Sequence, residues 1–255
     1  MHYPRTLGIL PIAFLAIGIT FTACKKDEPE PPATPADPGG GGQNVPAPST
    51  TPNFSDADGS LWAVQSFTTQ STPIGNMDIQ IGLGVGAFTD DGFNSYINAG
   101  TVSLNGVQLS SASNGTYYSQ PSQTQPTGID LSSGVSWSVS GGSGVPAFDH
   151  DVNSFPMPTL GAISANETVV RSNGYTMSTT QVAGADSVLF LVGHVAKTLS
   201  GNATTCSFTA DELSALQTGA NVVQIAAYKY TDQMFGGKKI YFGKEAVRSV
   251  SVTIQ

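Results

Sequence analysis

Met77-Asp78-Ile79-Gln80-Ile81-Gly82-Leu83-Gly84-Val85-Gly86-Ala87 is the run that decides the fold class. Met77, Ile79, Ile81, Leu83, Val85 and Ala87 take every second position, and polar residues or glycine take the rest. A period of two belongs to a strand with one buried face. Gly82, Gly84 and Gly86 line the other face, where bare glycines predict a close approach by backbone or by a large side chain. The same glycines spell G-x-G-x-x-A formally. A dinucleotide-binding turn needs them between a strand and a helix start, where the helix N-terminus meets the pyrophosphate. Inside a strand they carry no such site.

Working outward, residues 61–70 read as a preceding strand, opened by the turn Asp56-Ala57-Asp58-Gly59. Asn105-Gly106 sits between Val102/Leu104 and Val107/Leu109, which predicts a type I′ hairpin. Val135, Trp137 and Val139 alternate with serines as another half-buried strand. Phe155-Pro156-Met157-Pro158 then breaks the pattern, because each proline restricts its predecessor and cannot donate to a ladder. Further strands are predicted over 168–171, 175–182, 187–196 and 204–208. Thr209-Ala210-Asp211-Glu212 is a capping box and predicts a short helix ending at Gly219. Strands over 222–230, 239–242 and 247–254 complete the chain, with Val250, Val252 and Ile254 facing the core.

These elements predict an all-β protein with two antiparallel immunoglobulin-like β-sandwich domains, 53–157 and 158–255; one larger sandwich is the alternative. The second half resembles an immunoglobulin-like sandwich in having about seven strands and a short helical crossover before the penultimate pair. It lacks the hallmark cysteine pair and its companion tryptophan, so the resemblance is one of architecture.

The N-terminus carries a different signal. Arg5 supplies a small positive region, and residues 7–21 are uncharged and apolar. That run is shorter than the roughly 20 residues a helix needs to cross a bilayer. Phe21-Thr22-Ala23-Cys24 follows, with a small residue directly before the cysteine. It resembles the lipobox of a bacterial lipoprotein. The resemblance implies a signal peptide over 1–23, lipid on the Cys24 thiol and attachment to the membrane through it. Several acyl chains, at about 0.8 kcal/mol per buried CH2, make a stable anchor. Lys25-Lys26-Asp27-Glu28 resembles the start of many lipoproteins from the Bacteroidota, where an acidic cluster after the cysteine accompanies export to the cell surface. Lys25 rather than an acidic residue follows Cys24, so periplasmic and external orientations both stay open. Residues 24–52 form the expected tether. Eight of the sixteen prolines and the run Gly39 to Gly42 fall in 29–52, with no apolar pattern to offset ordering entropy. Extended, the tether reaches at most roughly 90 Å.

Charge and composition narrow the function classes. The body from Asn53 has seven Lys/Arg against fourteen Asp/Glu, too few cations for the counterion release that drives nucleic-acid binding. Lys229, Lys238, Lys239, Lys244 and Arg248 cluster late, whereas Asp56, Asp58, Asp78, Asp90 and Asp91 come early; solvated surfaces are the expected use of both. Cys206 is the one cysteine of the body and reads as a small buried hydrophobe.

No catalytic residue is nominated. There is no G-x-S-x-G, HExxH or paired CxxC, and no metal ligand set or cofactor is expected. His194 is placed inside an apolar strand as a packed histidine, and His150 sits between Asp149 and Asp151. Asp56-x-Asp58-Gly59, Asp90-Asp91-Gly92 and Asp149-x-Asp151 are oxygen-rich turns that calcium can use, but Asp-Gly pairs also turn unaided. Asp186-Ser187-Val188 resembles the O-glycosylation sequon of Bacteroidota exported proteins. The candidate ligand surface is aromatic: Tyr117 and Tyr118, of which one is expected to face away from the core, and Tyr241 and Phe242 beside Lys238 and Lys239. The expected function is non-catalytic binding of a glycan, matrix component or envelope protein by a lipid-anchored body. A purely structural envelope component and a hydrolase with an unrecognised acidic pair are the alternatives.

Overall fold

A computed structural model describes residues 54–72 and 75–255, with the side chains of 69–72 and 75–77 excepted. The expected signal peptide, Cys24 and the tether lie outside the described residues. The first half forms β1 (Gly59–Thr72), β2 (Gly75–Phe88), β3 (Val102–Leu104), β4 (Val107–Gln108), β5 (Ser110–Ser111), β6 (Tyr117–Tyr118), β7 (Ser136–Val139) and β8 (Phe148–Asp151). The second half adds β9 (Thr159–Leu160), β10 (Ile163–Ala165), β11 (Thr168–Val169), β12 (Tyr175–Thr179), β13 (Val182–Ala183), β14 (Ser187–Val192), β15 (Val195–Ser200) and β16 (Thr205–Phe208). The helical turn α1 (Ala210–Leu213) then leads into β17 (Gly219–Phe235) and β18 (Lys238–Ile254). The chain is nearly all β.

One nine-stranded sheet runs through both halves in the order β15-β14-β17-β18-β1-β2-β6-β5, with β11 also on β18. Most pairs are antiparallel. The exceptions are β1 with β18, in register from Gly59↔Ile240 to Phe67↔Arg248, and β11 with β18. The strands therefore do not sort into two closed sandwiches at residue 157, because the opening and closing strands of the body are neighbours in one sheet.

Successive residues of a strand alternate between faces. On the near face of the large sheet, even-numbered residues of β18 meet two smaller sheets. Near its start, Ile240 and Phe242 pack with Leu61 of β1 against Leu104 and Trp137 of the sheet β4-β3-β7-β8. Near its end, Val252 and Ile254 pack with Phe190 and Ile225 against Met177 and Phe208 of the sheet β10-β12-β16. The far face carries a third cluster, Phe54, Trp62, Val64, Tyr228, Tyr241 and Val247 among its members. From Ile240 to Val247 every residue of β18 is buried, and after Arg248 burial alternates. β18 was expected as two strands, 239–242 and 247–254, with Gly243-Lys244-Glu245 left between them. It is one strand because both faces are covered there.

The glycines of β2 do what their pattern predicts. A side chain at Gly82 would strike the Ile129 carbonyl, one at Gly84 would touch Leu104 and Leu109, and one at Gly86 would meet Leu61. Asn105 and Gly106 have φ of 49° and 77°, the two positive values a type I′ turn needs. At α1 both capping-box bonds are present. The helix stops at Leu213 rather than continuing toward Gly219, since Leu213 and Leu216 both turn into the core and the Leu216 N–H closes on the Leu213 carbonyl at 3.0 Å.

Gly243 gives the tightest test of this packing. The Trp62 ring lies directly over it, and a methyl group there would overlap ring carbons. Phe54 and Tyr228, edge-on to the ring at 5.9 Å each, leave Trp62 little room to retreat. Gly243→Ala is expected to destabilise the protein by about 1–3 kcal/mol, the usual cost of overpacking. Urea unfolding checks this, and an unchanged midpoint would place Trp62 elsewhere.

Candidate functional site

The aromatic residues expected to form a ligand surface are mostly core. Tyr117 is 1% exposed and Phe242 0%. The Tyr117 hydroxyl donates to Asn98 Oδ1 (3.0 Å) and accepts from the Ala99 N–H (2.8 Å), with burial pushing its pKa up. Tyr241 is 7% exposed, and its hydroxyl donates to Asp56 Oδ1 at 2.9 Å. Burial raises its pKa too, with the Asp56 bond adding to the effect. Tyr118 is half-buried opposite Val85. These four side chains form no stacking platform. Tyr117, Tyr241 and Phe242 are taken up by the core, Tyr241 and Phe242 because β18 is covered on both faces, and Tyr118 is the one of the four that is only half-buried.

The histidines also move. His194 is exposed in the two-residue turn between β14 and β15, where Gly193 at φ 60° takes the first central position. It is not a packed strand residue; the Gly193-His194 turn was hidden by apolar residues on both sides. His150 lies on β8 with its ring 4.3 Å from Phe242 and 5.8 Å from Phe235. Burial lowers its pKa, against the pull of Asp151.

The acidic turns are occupied by the protein itself. Asp56 accepts from Lys239 Nζ at 2.7 Å as well as from Tyr241. Those bonds hold its carboxyl below the usual range, Lys239 first. Asp58 accepts from Lys238 Nζ (2.9 Å) and from the Lys239 N–H (2.8 Å). Burial works to raise the Asp58 pKa, but the bonds from Lys238 and Lys239 outweigh it and leave it lowered. Asp91 accepts from Ser95 and Thr89, which bring its pKa down to about 2. The early acidic and late basic clusters are thus partners in space. Asp149 and Asp151 are exposed on β8. Among the described residues no three of His, Cys, Asp or Glu gather as a metal site.

A shallow depression at the other end is lined by Arg171, Ser214 and Gln255. The Arg171 guanidinium is spent on backbone carbonyls of Gln255 (3.2 Å), Ser214 (3.3 Å) and Leu216 (2.7 Å), so it works as a clamp.

Two charged residues adjacent in the sequence are buried, Lys244 and Glu245; Lys244 was expected on a solvated surface with the other late cations and is 5% exposed instead. Lys244, on the near face, donates to the carbonyls of Val152 (2.7 Å) and Phe155 (2.8 Å). It pins the crossover between the halves, and burial lowers its pKa. Glu245 points to the far face opposite Tyr228 and Val64 and is 6% exposed. Burial pushes its pKa up to about 8. Tyr228 beside it is pushed up to about 12, by burial first, against bonds with Thr198 and Ser187. The signal in the sequence was an apolar run on both sides of Gly243-Lys244-Glu245.

Comparison with family models, with curated proteins and with solved structures returned no match.

Glu245 makes stability depend on pH in a defined direction. Its folded pKa lies above the 4.5 of a free glutamate, so the folded chain holds the proton more tightly. Its contribution is complete below about pH 4.5 and is lost as pH rises to about 8, at about 1.4 kcal/mol per pH unit. His150, with a lowered pKa, acts in the opposite sense, its contribution falling away below about pH 6.5. Urea midpoints between pH 5 and 8 should therefore fall for the wild type and flatten in Glu245→Gln; identical slopes would show that the carboxyl is not held protonated.

Proposed function

We propose that this chain is a lipid-anchored envelope protein whose β-rich body binds a glycan, a matrix component or another envelope protein without catalysing a reaction. The observation that carries the reading is Phe21-Thr22-Ala23-Cys24 after a short apolar run and before a Pro/Gly-rich tether. In this reading Cys24 bears the lipid, the outer membrane holds it, and residues 24–52 space the body from the surface. The start of the body supports it. Phe54 is held edge-on by Trp62, Tyr230 and Tyr241 at 5.9, 5.2 and 4.9 Å, so a pull on the tether meets a packed aromatic anchor within two residues of Pro52. No described helix is long and apolar enough to cross a membrane. Each half of the body would act as one sandwich-like lobe, the second of immunoglobulin-like architecture, joined through the shared sheet.

Metabolic labelling with an alkyne fatty acid tests the anchor directly. The wild type should take the label and partition into detergent, and Cys24→Ser should lose both properties. An unlabelled wild type in the aqueous phase would overturn the reading.

A further inference from the structure

β17 is seventeen residues long, yet β14 pairs with only part of it, Val223 to Tyr228. Beyond Tyr228 the strand runs on to Phe235 with β18 on one side. Among the described residues no strand lies on the other. The register tells which backbone groups face that opening. The Gly193 N–H donates to the Val222 carbonyl at 3.1 Å, so even-numbered residues of β17 turn their amides and carbonyls toward the β14 side. Along the open half these are Tyr230, Asp232 and Met234. Asp186 uses the first position, accepting the Tyr230 N–H through its carboxylate at 3.3 Å. The Tyr230 carbonyl and both groups of Asp232 and Met234 then form an open row.

Two further observations point to a partner of particular chemistry. Met234 is 52% exposed and is the one large hydrophobic side chain exposed among the described residues. Tyr230, Asp232 and Met234 share the far face, so the row presents apolar, acidic and apolar groups in turn. The cations nearby are engaged, Lys229 by Asp186 (3.3 Å) and Lys239 by Asp56 (2.7 Å); Asp232 is only a second, longer contact of Lys239 (3.8 Å), and its side chain stays 45% exposed. A second copy pairing edge to edge about Asp232 would bring two Asp232 carboxylates together.

We infer that the outer edge from Tyr230 to Met234 is a strand-addition site for an extended polypeptide that carries a basic side chain between two apolar ones. Main-chain hydrogen bonds from Asp232 and Met234 supply the affinity, and the Asp232 carboxylate selects the basic residue. The site deepens the binding reading above by giving it a polypeptide partner; the lipid-labelling experiment reports on the anchor independently.

The probe is the synthetic peptide acetyl-Thr-Val-Thr-Lys-Thr-Val-Thr-amide, with glutamate in place of lysine as its control. Hydrogen exchange of the purified full chain, followed by mass spectrometry of the fragment covering 229–236, reads the edge amides. The lysine peptide should slow exchange there by about tenfold and the glutamate peptide should not. Asp232→Pro removes one outward N–H while leaving the β18 ladder intact, and it should abolish the protection. Asp232→Lys keeps the backbone and should exchange the preference to the glutamate peptide. The inference fails if the lysine peptide at millimolar concentration leaves the fragment unprotected, if protection appears elsewhere, or if both Asp232 variants bind like the wild type. Protection that rises with protein concentration alone would replace the peptide with a second copy.

Discussion

The parallel pairing of β1 with β18 holds the two halves of this chain in one sheet. It joins Gly59–Phe67 to Ile240–Arg248, and along that seam β18 is covered on both faces. A strand in that position has no face left for polar side chains, and yet two occur there. Lys244 is accommodated because its ammonium reaches two carbonyls of the crossover. Glu245 is accommodated by keeping its proton. Both solutions avoid an uncompensated buried charge, which would cost several kcal/mol. Between Tyr241 and Lys244, Gly243 makes the space that the Trp62 ring fills.

The ion pairs beside the seam have a different value. Lys238–Asp58 and Lys239–Asp56 are partly exposed, and pairs of that kind contribute about 0–1 kcal/mol each. Their importance is positional. They fasten the turn before β1 to the start of β18, with the backbone bonds Asp58 N–H to Lys239 carbonyl (2.8 Å) and Thr89 N–H to Asp58 carbonyl (2.9 Å) closing the same corner. Phe54 is thereby held against the far-face aromatics. One corner thus ties the start of the body to its last hairpin.

Features decided by near neighbours were legible in the sequence. The alternation of β2, its close-packed glycine face, the Asn105-Gly106 turn and the Thr209 capping box all depend on residues a few positions apart, and all are present. Features decided by distant partners were not. Asp58 and Lys238 are 180 residues apart in the chain, so their charges looked like separate patches. Gly243-Lys244-Glu245 fell between two expected strands because the cover on its two faces comes from distant residues, the Trp62 ring on one side and the 152–155 crossover on the other. Tyr117 and Tyr241 looked available for ligand because half-burial is the ordinary condition of an antiparallel strand. The open edge of β17 had no signal of its own, since it exists only because β14 ends before β17 does.

The β1–β18 seam also sets an order of events during synthesis. β1 leaves the ribosome well before its partner, and at about 5–20 residues per second the wait is roughly 10–35 s. Throughout that interval the β1–β2 hairpin has no third strand beside β1, and Leu61, Trp62 and Val64 have no β18 to pack with. A nascent chain of this design keeps its first hairpin unfinished until β18 is made. Its early hairpin is then a natural client for a chaperone, and premature termination within β18 would leave neither half with a complete core.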